Sequence, residues 1–149
     1  MAQTTGALSM VIAKLEYSTN GSDYTDISGE AGNIQGTDQS RQSGETYTFD
    51  GDTAIVTAGK REPMELQFDV VYTEATADAW ELLRPYFEAG SAVYFRWSPK
   101  GGSSTNFQYT SDAGYLISFP YPAGEAAPGD PIMGSWTFKT PKVTKSAVA

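Results

Sequence analysis

Apolar and polar residues alternate along most of the chain with a period of two, the signature of half-buried strands. The clearest run is Met64–Thr73. Met64, Leu66, Phe68, Val70 and Tyr72 form one face, and Glu65, Gln67, Asp69, Val71 and Thr73 form the other. Pro63 stands at its start, where a missing N–H costs a sheet least. Met10–Tyr17 repeats the pattern with Val11, Ala13, Leu15 and Tyr17. The turn Asn20-Gly21-Ser22-Asp23 and a return strand Tyr24–Ile27 complete a hairpin. Further strands are predicted over Thr46–Phe49, Ala54–Thr57, Val93–Trp97, Phe107–Thr110, Gly114–Tyr121 and Ile132–Lys139. In Gly114–Tyr121 the shared face is Tyr115, Ile117, Phe119 and Tyr121; in the last run it is Ile132, Trp136 and Phe138.

The period changes once. Ala75–Glu88 carries Trp80, Leu83 and Phe87 on one helical stripe, with Thr73 or Thr76 as N-cap and Gly90 as a stop. Pro85 is expected to kink or shorten the last turn. Two segments show neither period. Ser28–Gly44 holds four glycines, and Ile34 is its only strongly apolar residue. It reads as a long loop, either mobile or ordered by a neighbouring subunit. Residues 140–149 read as a C-terminal arm. The whole is a single domain of α+β class, mainly β: a barrel or sandwich of about seven to nine antiparallel strands with one flanking helix near residues 75–88.

Composition removes most chemistry. The 149 residues include no cysteine and no histidine, so there is no disulfide, thiolate metal site, cysteine nucleophile or imidazole base. Eighteen acids against ten bases give a net charge of −8, which disfavours general binding to nucleic-acid phosphates. The charge is uneven: eight acids and the lone base Arg41 fall between Glu16 and Asp52, whereas Lys139, Lys142 and Lys145 lie near the end with no acid among them. The pattern fits a solvated acidic stretch with a frayed basic tail, or head-to-tail association of copies. No run is long and apolar enough for a transmembrane helix, and the first ten residues lack the basic start and apolar stretch of a signal peptide. Synthesis in a cytoplasm is expected.

Candidate sites are weak. Asp50-Gly51-Asp52 has two carboxylates, but the third acid and the closing bidentate Glu of a calcium loop are missing. Glu65 and Asp69 share a strand face but lie about 13 Å apart along it, too far for a retaining glycosidase pair. Ser98-Pro99-Lys100-Gly101-Gly102 lacks phosphate-loop spacing and reads as a hairpin tip. Tyr94, Arg96 and Trp97 suggest a sugar-stacking platform, although Trp97 falls on the apolar face. The reading therefore assigns no catalytic, cofactor or metal residue.

Three stretches carry a family resemblance. One runs from Gly59-Lys60-Arg61-Glu62-Pro63 through the Met64–Thr73 strand, Ala79-Trp80-Glu81-Leu82-Leu83 and Phe87-Glu88-Ala89-Gly90 to Tyr94-Phe95-Arg96-Trp97-Ser98-Pro99-Lys100-Gly101. A second is the hairpin Leu15–Ile27, and a third is the passage from Phe119-Pro120-Tyr121-Pro122 to Pro131-Ile132. Together they resemble the tail tube (major tail) proteins of long-tailed bacteriophages, of siphophage type. The immunoglobulin-like domain that some members carry has no counterpart in this sequence.

The resemblance implies a structural virion protein, not an enzyme, without cofactors. It implies hexameric rings of the protein itself, stacked into a tail tube that conducts DNA during ejection without binding it specifically. Implied partners are the tape measure, tail terminator and distal tail proteins, and no membrane. On that reading Glu45, Asp50, Asp52, Glu65 and Asp69 are candidates for lumen-facing acids. Ile34, Gln35 and Arg41 are candidates for an inter-subunit loop, and Lys139, Lys142 and Lys145 for contacts of the C-terminal arm. Two other readings stay open: a ring-forming terminator or adaptor, and a carbohydrate-binding sandwich using Tyr94, Trp97, Tyr115 and Tyr121.

Overall fold

The computed structural model describes residues 2–149. Eleven strands and one helix follow one another in chain order. They are β1 (Lys14–Ser18), β2 (Tyr24–Asp26), β3 (Ala31–Gln35), β4 (Arg41–Thr46), β5 (Ile55–Arg61), β6 (Met64–Val71), α1 (Ala79–Ala89), β7 (Tyr94–Ser98), β8 (Phe107–Ser111), β9 (Tyr115–Ser118), β10 (Met133–Thr140) and β11 (Val143–Ala147). Every pairing is antiparallel. One sheet has the order β11-β8-β7-β1-β2, a second β3-β6-β10-β9, and β4 pairs only with β5. The first two sheets face each other as a sandwich and do not close into a barrel.

The alternation in β6 is realised fully: Met64, Leu66, Phe68 and Val70 are buried and the intervening residues are not. Opposite it, β10 contributes Trp136, Phe138 and Thr140. Leu15 and Tyr17 from β1 and Phe95 and Trp97 from β7 supply the other layer. The rings interlock edge to face: Phe95 meets Phe138 at 4.7 Å, and Trp136 meets Phe119 at 4.8 Å and Trp80 at 5.6 Å between centroids. Such contacts add to plain area burial because ring edges and faces carry opposite partial charge. Trp80 fits over β10 because position 134 is glycine; a Cβ there would lie 2.7 Å from the Trp80 ring.

Several expectations need correction. Eleven strands stand where seven to nine were expected, because the two segments read as unstructured contribute to sheets. Within 28–44, β3 pairs with β6 and β4 begins at Arg41. Gln and Asn at these positions satisfy the backbone ladder while pointing outward, so sparse apolar content did not prevent pairing. Within 140–149, β11 pairs with β8 over five residues. The first strand begins at Lys14, not Met10: Ala13 N–H donates to Met10 O at 3.2 Å, a turn that leaves Val11 and Ile12 exposed. The strand read as Thr46–Phe49 is instead Arg41–Thr46, and Tyr47 and Phe49 lie in the connection beyond it.

In β9 the expected face is reversed. Leu116, opposite the buried Phe138, is buried, and Tyr115, opposite Lys139, and Ile117 are exposed; the β9–β10 register then shifts at Thr137/Phe138. The helix starts at Ala79 with Asp78 as N-cap; the Thr73 hydroxyl donates to the Asp78 carboxylate at 2.7 Å instead of capping. It continues through Pro85 and ends at Gly90, whose φ of 66° takes the left-handed C-terminal turn.

Candidate functional site

Among the described residues no group of three or more Asp, Glu, His or Cys side chains could hold a metal ion. The features that distinguish this chain are surfaces, and three stand out.

The first is the outer face of the β3-β6-β10-β9 sheet. Glu65 is exposed and lies directly opposite Lys139. Asp69 accepts from the Ser135 hydroxyl and, at 3.4 Å, from the Asn33 amide. Gln35 donates to Gln67 at 3.2 Å. The face therefore mixes amides and hydroxyls with two carboxylates and one ammonium, one net negative charge per copy, and also carries the exposed Tyr115, Ile117 and Met133. Its flanking strands β3 and β9 are edges with no further strand partner in the sheet. Unpaired edges present rows of N–H and C=O groups that template pairing with another chain.

The second is the β4–β5 hairpin. Every residue of both strands is exposed. At its end Tyr47 is 71% and Phe49 fully exposed, with Ile55 at 53% and Val56 at 70%. A two-stranded ribbon with no covered face is marginal on its own in water. Its root is tied down: the Gln39 side chain donates to Glu62 O at 3.2 Å and Pro141 O at 2.8 Å, and Arg41 donates to Gly59 O at 3.2 Å. Leu8, Val11 and Ile12, before β1, are exposed as well.

The third is the outer face of the five-stranded sheet. Arg96 grips Glu16 with two bonds of 3.1 and 3.0 Å and lies 3.9 Å over the Tyr24 ring. Lys14 stands 3.7 Å from the same carboxylate. Glu16 is buried with its charge fully partnered, so this cluster braces the sheet.

The sequence-read residues are thus scattered over several places. Glu65 and Asp69 share the first face. Glu45 is on β4, and Asp50 and Asp52 are at the hairpin end, away from that face. Ile34 packs half-buried on the core, Gln35 points outward, and Arg41 sits at the hairpin root. Of the basic residues assigned to the arm, Lys139 belongs to β10, Lys142 to the exposed turn after it, and Lys145 lies 4.0 Å over the Phe107 ring. Tyr94 and Trp97 point to opposite sides of β7, and Trp97 is buried against Tyr109, so the aromatic platform is not assembled. The apolar hairpin end was missed. Its signal is visible afterwards: Tyr47, Phe49, Ile55 and Val56 lie among Thr, Asp and Gly that offer them nothing to pack on.

No family model matches the chain, and no curated protein sequence matches it. Solved structures do. The chain superposes on a chain from a sheath–tube complex of an extracellular contractile injection system with a TM-score of 0.74 at 12% identity, covering 97% of this chain and 94% of that one. The tube-terminating cap of the anti-feeding prophage gives 0.74 at 11% identity, covering 99% and 95%. The tail of an empty GTA particle with C6 symmetry gives 0.65 at 13% identity, covering 99% and 100%. At these identities the likeness establishes a shared fold over essentially the whole chain.

Proposed function

We propose that this protein is a structural subunit of a phage-like tail, and that copies of it close into rings that stack as a tube. The observation that carries the reading is a four-stranded sheet with both edges open, next to a hairpin with no covered residue, on a fold shared with tube and tube-cap proteins. Edge β3 of one copy meets edge β9 of the next, so the sheet continues around the ring. Such a head-to-side contact is heterologous and closes by rotation. Six copies, the symmetry of the C6 tail, are the expected number.

The outer face of that sheet then lines the bore. With one net negative charge per copy it repels DNA phosphates weakly and offers them no cationic partner except Lys139, which Glu65 faces. Passage of DNA without adhesion follows. The hairpin covers its apolar end on a neighbouring copy.

A terminator ring is the second reading, supported by the likeness to the tube-terminating cap. Sedimentation and negative-stain microscopy of concentrated protein test the assembly. Rings that stack without limit support the tube subunit, single rings support the terminator, and a persistent monomer refutes both.

A further inference from the structure

Two bonds in the sequence join Asn or Asp to Gly: Asn20-Gly21 in the turn between β1 and β2, and Asp50-Gly51 at the end of the β4–β5 hairpin. Both can rearrange without a catalyst. The glycine backbone nitrogen attacks the preceding side chain's Cγ. The new N–Cγ bond closes a five-membered imide, and ammonia leaves from Asn or water from Asp. Water then opens the ring at either carbonyl, giving aspartyl or isoaspartyl, the latter with the main chain running through the side chain. Glycine favours closure because it has no Cβ and leaves the backbone free to turn. In an unfolded chain the Asn bond reacts first, since a carboxylate is the poorer electrophile.

The fold treats the two bonds differently. Gly21 N–H donates to the buried Ser18 hydroxyl at 2.9 Å, and that hydroxyl donates to Asn20 Oδ1 at 3.0 Å. Oδ1 also accepts from Ser22 N–H at 2.8 Å and from Asp23 N–H at 2.9 Å, and Asn20 Nδ2 donates to the Asp23 carboxylate at 3.1 Å. The Tyr94 ring packs on Gly21, 3.2 Å from where a Cβ would stand. Donors on Oδ1 alone would favour attack, as in an oxyanion hole. Two features outweigh them. The attacking nitrogen has its proton engaged by Ser18, and the leaving nitrogen faces a carboxylate that accepts from it and offers it no proton. The turn network also fixes the side chain, which must rotate to close the ring.

Asp50-Gly51 lacks such a network. Both residues are exposed, and Gly51 has a φ of 96° with open space where a Cβ would stand. The Thr48 hydroxyl donates to Asp50 O at 2.6 Å, which leaves both reacting groups free. Among the described residues neither Gly51 N–H nor the Asp50 carboxylate enters a hydrogen bond. We infer that folding reverses the intrinsic order: the free subunit ages by isomerisation at Asp50, while Ser18 keeps Asn20-Gly21 intact. Isoaspartyl at 50 inserts a methylene into the main chain directly after the exposed Phe49 and so displaces the apolar hairpin end. The order of ageing stands on this geometry alone; its effect on assembly rests on the proposed ring-and-tube reading.

Prolonged incubation of dilute wild-type protein, followed by peptide mapping with electron-transfer fragmentation, reads both positions. Folded protein should accumulate isoaspartyl at 50 with position 20 still Asn, and in urea the order should invert. Ser18→Ala, verified as folded by circular dichroism, should speed the loss of Asn20 by about fivefold, the Boltzmann weight of one net hydrogen bond. Asn20 converting first in folded wild type would overturn the inference. So would an Asp50 that stays intact when folded but isomerises in urea, or an unaltered Asn20 rate in folded Ser18→Ala. Asp50→Glu keeps the charge but would need a six-membered ring. Aged wild type should lose tubes relative to fresh protein, and Asp50→Glu should assemble equally well aged and fresh. Tubes retained by wild type carrying isoaspartyl would refute the effect on assembly. If fresh wild type forms no tubes, the tube reading falls, and the order of ageing is still decided on the free protein.

Discussion

Excision of the β4–β5 hairpin separates assembly from folding. Ser43 faces Ala58 across the ribbon, so residues 44–57 can be replaced by Asn-Gly, a two-residue turn that suits a hairpin of native twist. Every strand residue removed is exposed, and the anchors at Gln39 and Arg41 lie outside the cut. The folded monomer therefore loses almost no buried apolar area. At roughly 25 cal/mol per Å² the change in stability should stay below about 1 kcal/mol. For a domain of this size that is a shift of about 2–4 °C in melting temperature. Differential scanning calorimetry reads it on dilute protein. Assembly should respond oppositely, since Tyr47, Phe49, Ile55 and Val56 lose their docking surface, and sedimentation velocity should show no species beyond single rings. A melting temperature lowered by more than about 10 °C would show that the ribbon supports the fold itself. Unaltered tubes would show that it does not join subunits.

Three further outcomes follow from the packing and the charges. Gly134→Ala puts a methyl against Trp80 and Pro120 and should destabilise by about 1–3 kcal/mol, measured by denaturant unfolding; no change would mean that the Trp80 seat is loose. Arg96→Ala leaves the Glu16 carboxylate with Lys14 alone and should cost about 1–3 kcal/mol, less than a fully buried pair because Arg96 is a quarter exposed; a cost that vanishes in Glu16→Gln/Arg96→Ala verifies the coupling. Burial, and then the neighbouring Asp78 charge, hold the Glu30 carboxyl above its ordinary value of 4.5. The folded protein then binds that proton more tightly than the unfolded chain, so this contribution is full below the ordinary value and is lost as pH rises through the raised one. Glu30→Gln should raise the melting temperature near neutral pH and leave it unchanged near about pH 4, and an unchanged melting temperature at neutral pH would refute the assignment.

How far the sequence was readable depends on which forces set each element. In β6 and β10 one face meets the core and the other meets solvent, so a period of two reports both strand and face. The helix was legible for the same reason, through Trp80 and Leu83. Alternation failed in β9, where Leu116 faces the core but the register shift just after it lets Phe119, on the opposite sequence parity, reach the core too. It also failed for β3, β4 and β11, which are held chiefly by backbone pairing and carry side chains that hardly distinguish strand from loop. The acidic face was found through Glu65 and Asp69, but the Lys139 opposite Glu65 depends on pairing across many residues, which no local pattern encodes. The hairpin's apolar end was overlooked because its residues pack on nothing in their own chain.

The most direct measurement is a cryo-electron microscopy reconstruction of the assembled protein, resolved well enough to trace strands at the bore. The account predicts rings in which β3 of each copy hydrogen-bonds to β9 of the next, with Glu65, Asp69 and Lys139 facing the lumen. A tube walled by the five-stranded sheet, with Glu16 and Arg96 at the bore, would contradict it, as would a protein that stays monomeric at every concentration.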